Sequence, residues 1–262
     1  MTFSNTVTRL VQDFFRVHLI GRRDVSPNTI SAYRDALRML LSFAASRIHE
    51  SAVEITLDDL GRETVLAFLD HLEQGRSNSA STRNARLAAV HSFFQFVAQE
   101  DTTSVDVCQR VLLIPFKRTP AHMVTCLDRE DIEHILGLVD RGDPTGRRDA
   151  ALLHFLYNTG ARAQEVVDLR LPAVRLPIPA QVRILGKGRK ERLCPLWSET
   201  ASLMKDMLKD RGVEPHEDVP LFLSAVGRPL SRFGLRHIVQ TRVEMAARTR
   251  PSLTAKRVTP HT

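Results

Sequence analysis

The sequence predicts a mainly α-helical chain in two parts. A bundle of short amphipathic helices comes first, and a mixed α+β part built around a small β-hairpin follows. Three observations carry this reading. Apolar residues recur at helical spacing through about the first hundred positions. Further on, the period shifts to two on either side of the turn Gly186-Lys187-Gly188-Arg189-Lys190. Between the two parts, positions 100–125 lose regular periodicity and hold Pro115, Lys117, Arg118 and Pro120.

Each element has a local reason. Thr2 to Ile20 carries Leu10, Phe14 and Val17 at helical spacing. Ser26-Pro27 is a helix start, a serine cap followed by a first-turn proline. The helix behind it puts Ile30, Tyr33, Leu37, Leu40, Leu41 and Ala44 on one face. A third helix covers Arg62 to Glu73, led by a turn at Thr56 to Asp59. A fourth runs from about Ser81, with Leu87, Val90, Phe93, Phe94 and Val97 inward. Four such helices make a small bundle. The expected division is 1–102 for the bundle, 103–125 for a linker with a short helix near Val105 to Leu112, and 126–262 for the second domain. There, Asp128 caps a helix through Leu138, a second helix spans Arg147 to Asn158 and stops at Thr159-Gly160, and a third starts at Ala163. Val182, Ile184 and Leu193 flank the hairpin with its cationic tip. Helices follow at Ser198 to Arg211 and Ser231 to Ala247.

Composition narrows the function. The 262 residues are 43% apolar and 26% charged, enough to bury two ordinary cores and solvate their surfaces. Lys and Arg number 37 against 30 acids, so the chain attracts polyanions, nucleic acid being the commonest; a merely basic surface reads equally well from this balance alone. Cys108, Cys126 and Cys194 are widely spaced and odd in number. They imply no disulfide framework and no zinc site, and fit reduced thiols in a cytoplasmic protein. No signal peptide, membrane-length apolar run, internal repeat or phosphate-binding P-loop is read.

Two local patterns stand out. One is Thr159-Gly160-Ala161-Arg162-Ala163-Gln164-Glu165. The other is Gly186-Lys187-Gly188-Arg189-Lys190-Glu191-Arg192, its lysine 25 positions after Arg162. A third lies at the end, Thr259-Pro260-His261-Thr262. In this order and spacing they resemble the catalytic domain of the tyrosine recombinase (phage integrase) family, in its T-G-x-R-x-x-E, G-K-G-x-K-x-R and H-x-x-R boxes. Ser26-Pro27-Asn28-Thr29-Ile30-Ser31-Ala32-Tyr33 and Ser81-Thr82-Arg83-Asn84-Ala85-Arg86-Leu87 resemble the family's core-binding domain. The resemblance implies an N-terminal SAM-like helical bundle and an α+β catalytic domain, here C-terminally truncated.

The resemblance also implies chemistry. A phosphodiester under attack gathers negative charge on its nonbridging oxygens, and arginine meets it with a planar fork. Arg162 is thereby the first catalytic arginine, Lys187 the general acid toward the leaving 5′-oxygen, and His261 an acid/base or phosphate-holding group. The family's tyrosine forms a phosphotyrosyl link that conserves bond energy, so neither metal nor nucleotide cofactor is needed. The sequence stops one residue after His261, ahead of the box's arginine and the nucleophile. Its two tyrosines, Tyr33 and Tyr157, match no nucleophile position. The expectation is therefore a DNA-binding member of a site-specific recombination or integration system, deficient in cleavage. The alternative is a non-catalytic fragment or regulator of a mobile element. Duplex DNA and other recombinase subunits, a tetramer in the intact family, are the expected partners. The two domains are expected to clamp the duplex.

Blander readings stand beside these. Arg162 also reads as a helix-start arginine paired with Glu165, itself a buried partner that orients its neighbours. Lys190 competes with Lys187, and all the hairpin cations can simply solvate a turn. Arg83, Asn84 and Arg86 are candidate DNA contacts or a polar helix face. The arginines of Arg228 to Arg257, opposed by Glu244 alone, form a solvated run or, around Ser231-Arg232, a DNA-backbone contact. His91, His154 and His237 read as structural.

Overall fold

The computed structural model describes residues 6–48, 51, 54–119, 126–186, 188, 190–256 and 258–260. The chain divides into two compact units, residues 1–121 and 122–262.

Among the described residues, the first unit is built of helices and connecting turns. Helix α1 (Thr6–Asp13) widens into a π-helical stretch over Phe14–Arg22. The Arg23 amide donates to the His18 carbonyl, five residues back, at 3.0 Å. The wider turn buries Phe14 and Leu19, five positions apart, and leaves Val17 exposed. Regular α spacing would have carried Val17 inward. Helix α2 (Pro27–Ile48) is capped by the Ser26 hydroxyl, which accepts the Thr29 amide. The turn before α3 (Arg62–Asp70) is closed by the Asp59 carboxylate, which accepts the Thr56 amide at 2.8 Å. Helix α4 (Ala80–Glu100), capped by Ser79, buries Leu87, Val90, Phe93, Phe94 and Val97. Phe14 meets Phe93 edge-on with ring centroids 5.5 Å apart. Side chains of this size stabilise by roughly 1.5–3 kcal/mol each when fully buried.

Among the described residues, helix α5 (Val105–Leu112) adds a fifth helix to the four expected. It lies within the expected linker, 103–125. Cys108, Val111 and Ile114 are in the first unit's core, because α5 has its own apolar face and packs it on α4. Residues 115–117 are then strapped to α4. Arg83 donates to the Pro115 carbonyl at 3.1 Å, and Asn84 exchanges two hydrogen bonds with the Lys117 backbone at 2.7 and 3.0 Å.

The second unit begins with α6 (Arg129–Gly137), capped by Asp128, and α7 (Pro144–Thr159), capped by Asp143. Gly160 ends α7 in the left-handed region (φ 57°), where a side chain would be strained. Helix α8 (Ala163–Val167) follows. The expected hairpin is part of a three-stranded antiparallel sheet, β1 (Val174–Arg175), β2 (Gln181–Leu185) and β3 (Glu191–Pro195), in that order. Val182 pairs with Cys194 and Ile184 with Arg192, with Val182 and Ile184 buried in the core. Helices α9 (Ser198–Arg211) and α10 (Arg232–Ala247, capped by Ser231) follow, and a short 3-10 helix covers Pro251–Ala255. β1 is two residues long, too short to leave a periodic trace in the sequence.

One buried ionic group fixes α10 against α7. Asp149, 4% exposed, accepts Arg148 through one carboxylate oxygen and Arg242 through the other, the latter at 2.6 and 2.9 Å. Another ties α6 to the segment after α10: Asp131, fully buried, is bound by Arg250 at 2.7 Å and by Lys256. The arginine-rich run is therefore divided. Arg242 and Arg250 hold helices together, while Arg228, Arg232, Arg236 and Arg248 remain on the surface.

Candidate functional site

The second unit places Arg162 at the start of α8, just beyond the α7 stop. The Thr159 hydroxyl donates back to the Phe155 carbonyl at 2.7 Å and accepts the Ala161 amide. With Gly160 this makes a sharp exit that turns Arg162 outward. Its side chain is 65% exposed.

Glu165, one turn on, is buried and organises the corner. Its Oε2 accepts the Arg162 backbone amide at 3.0 Å and its Oε1 accepts the Arg162 guanidinium at 3.0 Å. Arg192, on β3, donates to Oε2 at 2.7 Å. Two guanidinium groups thus hang on the two oxygens of one carboxylate. The blander pairing of Arg162 with Glu165 is real, yet it leaves most of the arginine fork outward, so pairing and ligand binding are compatible.

The hairpin closes against this group. The Gly186 amide donates to the Lys190 carbonyl at 2.8 Å. A β-carbon at Gly186 would stand 3.3 Å from Glu165 Oε1 and 3.5 Å from an Arg192 nitrogen, tight enough to favour glycine there. The two sequence patterns therefore meet through Glu165, Gly186 and Arg192. Lys187 and His261 lie outside the described residues. Arg162 and Arg192 also line one cleft of about 950 Å³, whose other walls are largely apolar, among them Ile135, Leu153, Leu156, Val239 and Val258.

Arg192 is the site residue that sequence reading passed over. The signal was present, since it is the final arginine of G-K-G-x-K-x-R, but strand alternation gives no hint that it reaches back to α8.

The remaining candidates separate clearly. Arg83 is corrected: at 4% exposed it is bonded to Asn84 and Pro115 inside the first unit, where it holds residues 115–117 and has no open face for a duplex. Arg86 is half-buried and donates to the Ala32 carbonyl at 3.2 Å. Lys190 and Arg232 are exposed. Beside Arg232, Phe233 is 82% exposed, and Arg236, His237 and Gln240 continue the same helical stripe. His154 is buried and His91 half-buried; His237 instead stands on the surface of α10.

Burial on its own would push the Glu165 carboxyl up. The hydrogen bond from Arg192, those from the Arg162 backbone and side chain, and the Arg192 charge outweigh it and hold the group at about 2, against an ordinary 4.5. A carboxyl depressed in the folded state stabilises above its unfolded pKa, and this is lost as pH falls through the folded value. The window is therefore from about pH 4.5 down to about 2. The contribution is on the order of 2–3 kcal/mol, less whatever solvent screening of the two partly exposed arginines removes. Glu165→Gln is expected to flatten the fall in urea stability of the second unit between pH 5 and pH 3. Parallel curves for the two proteins would remove the ion pairing as its cause.

Known proteins align with both units. Residues 125–262 match the phage integrase family model, and residues 11–101 match the phage integrase N-terminal SAM-like domain. The chain is 40% identical over 253 residues to "Putative integrase/recombinase y4rD" of Sinorhizobium fredii, covering 96% of this chain and 90% of that protein. It is 31% identical to tyrosine recombinase XerC of Pelobacter propionicus, covering 95% and 77%. Among solved structures, the Tn1549 transposon integrase in complex with transposon right end DNA matches with a TM-score of 0.67 at 16% identity, over 96% of this chain and 82% of that one. XerH site-specific recombinase bound to palindromic difH substrate matches with a TM-score of 0.66 at 21% identity, over 91% and 67%.

Proposed function

The chain belongs to the phage integrase family of tyrosine recombinases, and from that premise we propose that it binds duplex DNA at sites of strand exchange, holding a backbone phosphate with Arg162. The observation that carries this is the corner itself: an outward arginine fork with one terminal nitrogen held by a buried carboxylate, and a backbone amide held by the same group. A donor held in this way needs little reorganisation when an anion arrives. Lys187 as general acid and His261 as a phosphate-holding or acid/base group complete the proposal, on their match to the family's boxes.

Further contacts are proposed for Lys190 on the hairpin, for Arg232 at the head of α10 and for Arg86 on α4. Arg232 and Lys190 are exposed cations suited to phosphate. The exposed Phe233 beside Arg232 suits apolar contact with a thymine methyl. Phe233→Ala is expected to lower the preference among duplex sequences while leaving salt dependence unchanged; competition binding between AT-rich and GC-rich duplexes reads this, and equal losses on both would count against a base contact.

Within these 262 residues no cleavage is proposed. The Tyr33 ring is stacked parallel to Phe14 with centroids 6.4 Å apart, and the Tyr157 ring packs edge-on to Trp197 at 5.3 Å. Each has a packing role and neither is in the position of the family's nucleophile. The polypeptide then occupies recombination sites, with sister subunits or another recombinase, in the cytoplasm where the DNA of a mobile element is reached. A nicked suicide duplex tests both halves. Salt-sensitive binding without a covalent adduct is expected, and log K should fall with log salt by about 0.9 per phosphate contacted. A covalent adduct from these residues would overturn the non-cleaving half. Absence of salt-sensitive binding to any duplex would overturn the DNA-binding half.

A further inference from the structure

We propose that Arg192 is a second phosphate ligand, presenting its guanidinium to the same anion as Arg162. This rests on the reading of Arg162 as a phosphate-binding residue. Four observations carry it. Arg192 and Arg162 hydrogen-bond to the two oxygens of the single Glu165 carboxylate, at 2.7 and 3.0 Å, so one small acid fixes the separation of both forks. Both side chains line the same cleft. The Arg192 side chain is 38% exposed, against 6% for Glu165, so the carboxylate lies behind the arginines and they face outward. Gly186 leaves the space beside Arg192 free of a side chain.

The electrostatics agree. Two guanidiniums and one buried carboxylate leave a net single positive charge at the mouth of the corner. Arginine stays charged in any such setting, and its five donors allow one N–H to be held by Glu165 while others are presented to a ligand. Glu165 thereby aligns two cations that would otherwise repel, and a phosphate that accepts from both has its charge spread over two planar forks. A purely architectural role, fastening β3 to α8, accounts for the ion pair but leaves unexplained why the arginine is a third exposed on the wall of the same cleft.

The experiment compares binding of a fluorescent 30-base-pair duplex to the full chain carrying Arg192→Ala or Arg192→Lys, across a range of salt. Arg192→Ala is expected to weaken binding by about tenfold or more and to reduce the salt slope by about 1. Arg192→Lys is expected to keep the slope, because the charge remains, and to weaken binding several-fold, because the fork is lost. An Arg192→Ala protein that folds, shown by an unchanged thermal transition, and binds with the parental slope would overturn the proposal. Should Arg192→Ala fail to fold, Arg192→Lys decides: parental affinity in that variant overturns it. If the parental protein itself shows no salt-sensitive binding, the reading of Arg162 fails first, which is a distinct result.

Discussion

Asp149→Ala is expected to destabilise the second unit by about 3–5 kcal/mol, the cost of breaking a buried ionic group by removing one partner. The carboxylate is 4% exposed and receives four guanidinium hydrogen bonds, two from Arg148 and two from Arg242. Without it, two arginines whose side chains are 12% and 16% exposed face each other with no counter-charge between α7 and α10. Arg148 keeps a bond to the Leu223 carbonyl, but Arg242 loses its hold on α7. The loss should be read from the fluorescence of Trp197, the single tryptophan, which lies in this unit, in guanidinium titrations at neutral pH. Asp149→Asn should recover part of the loss by keeping acceptor geometry. A change below about 1 kcal/mol would mean the group is solvated in solution and is no clasp.

The second large effect is on binding. Arg162→Ala is expected to raise the dissociation constant for duplex DNA by roughly 10- to 100-fold at moderate salt, the equivalent of about 1.5–3 kcal/mol for hydrogen bonds to a charged group. The fold should persist, because the side chain is 65% exposed and its backbone bond to Glu165 does not depend on the guanidinium. Arg162→Lys should recover charge but not the fork, and so restore part of the affinity. An alanine variant within twofold of the parent would place the phosphate elsewhere on the basic surface.

Much of this was legible before any coordinates. Helix caps at Ser26 and Asp128, and the glycine stop at Gly160, are local chemistry, and each sits at an element boundary. The hairpin followed from a change of period. What stayed hidden depends on tertiary contact. Val17 faces out because the helix widens over Phe14–Arg22, and α5 joins the first core although its surrounding sequence has the look of a linker. Arg83 has the composition of a DNA contact, but its partner, the Pro115 carbonyl, is 32 positions away. Arg242 and Arg250 look like a solvated run until Asp149 and Asp131 are brought to them. In the site, each motif announced its own residues. That Glu165 and Arg192 join the two motifs is a contact across 27 positions that neither pattern states.

Whether the Arg162 corner holds DNA phosphate can be read from the guanidinium nitrogen signals of Arg162 in nuclear magnetic resonance as a short duplex is added at low salt. The Arg162 signal is expected to shift until the duplex saturates and to return when salt is raised. A duplex that binds and moves other arginine signals, such as that of Arg232, while the Arg162 signal stays where it was would show that the phosphate is held elsewhere.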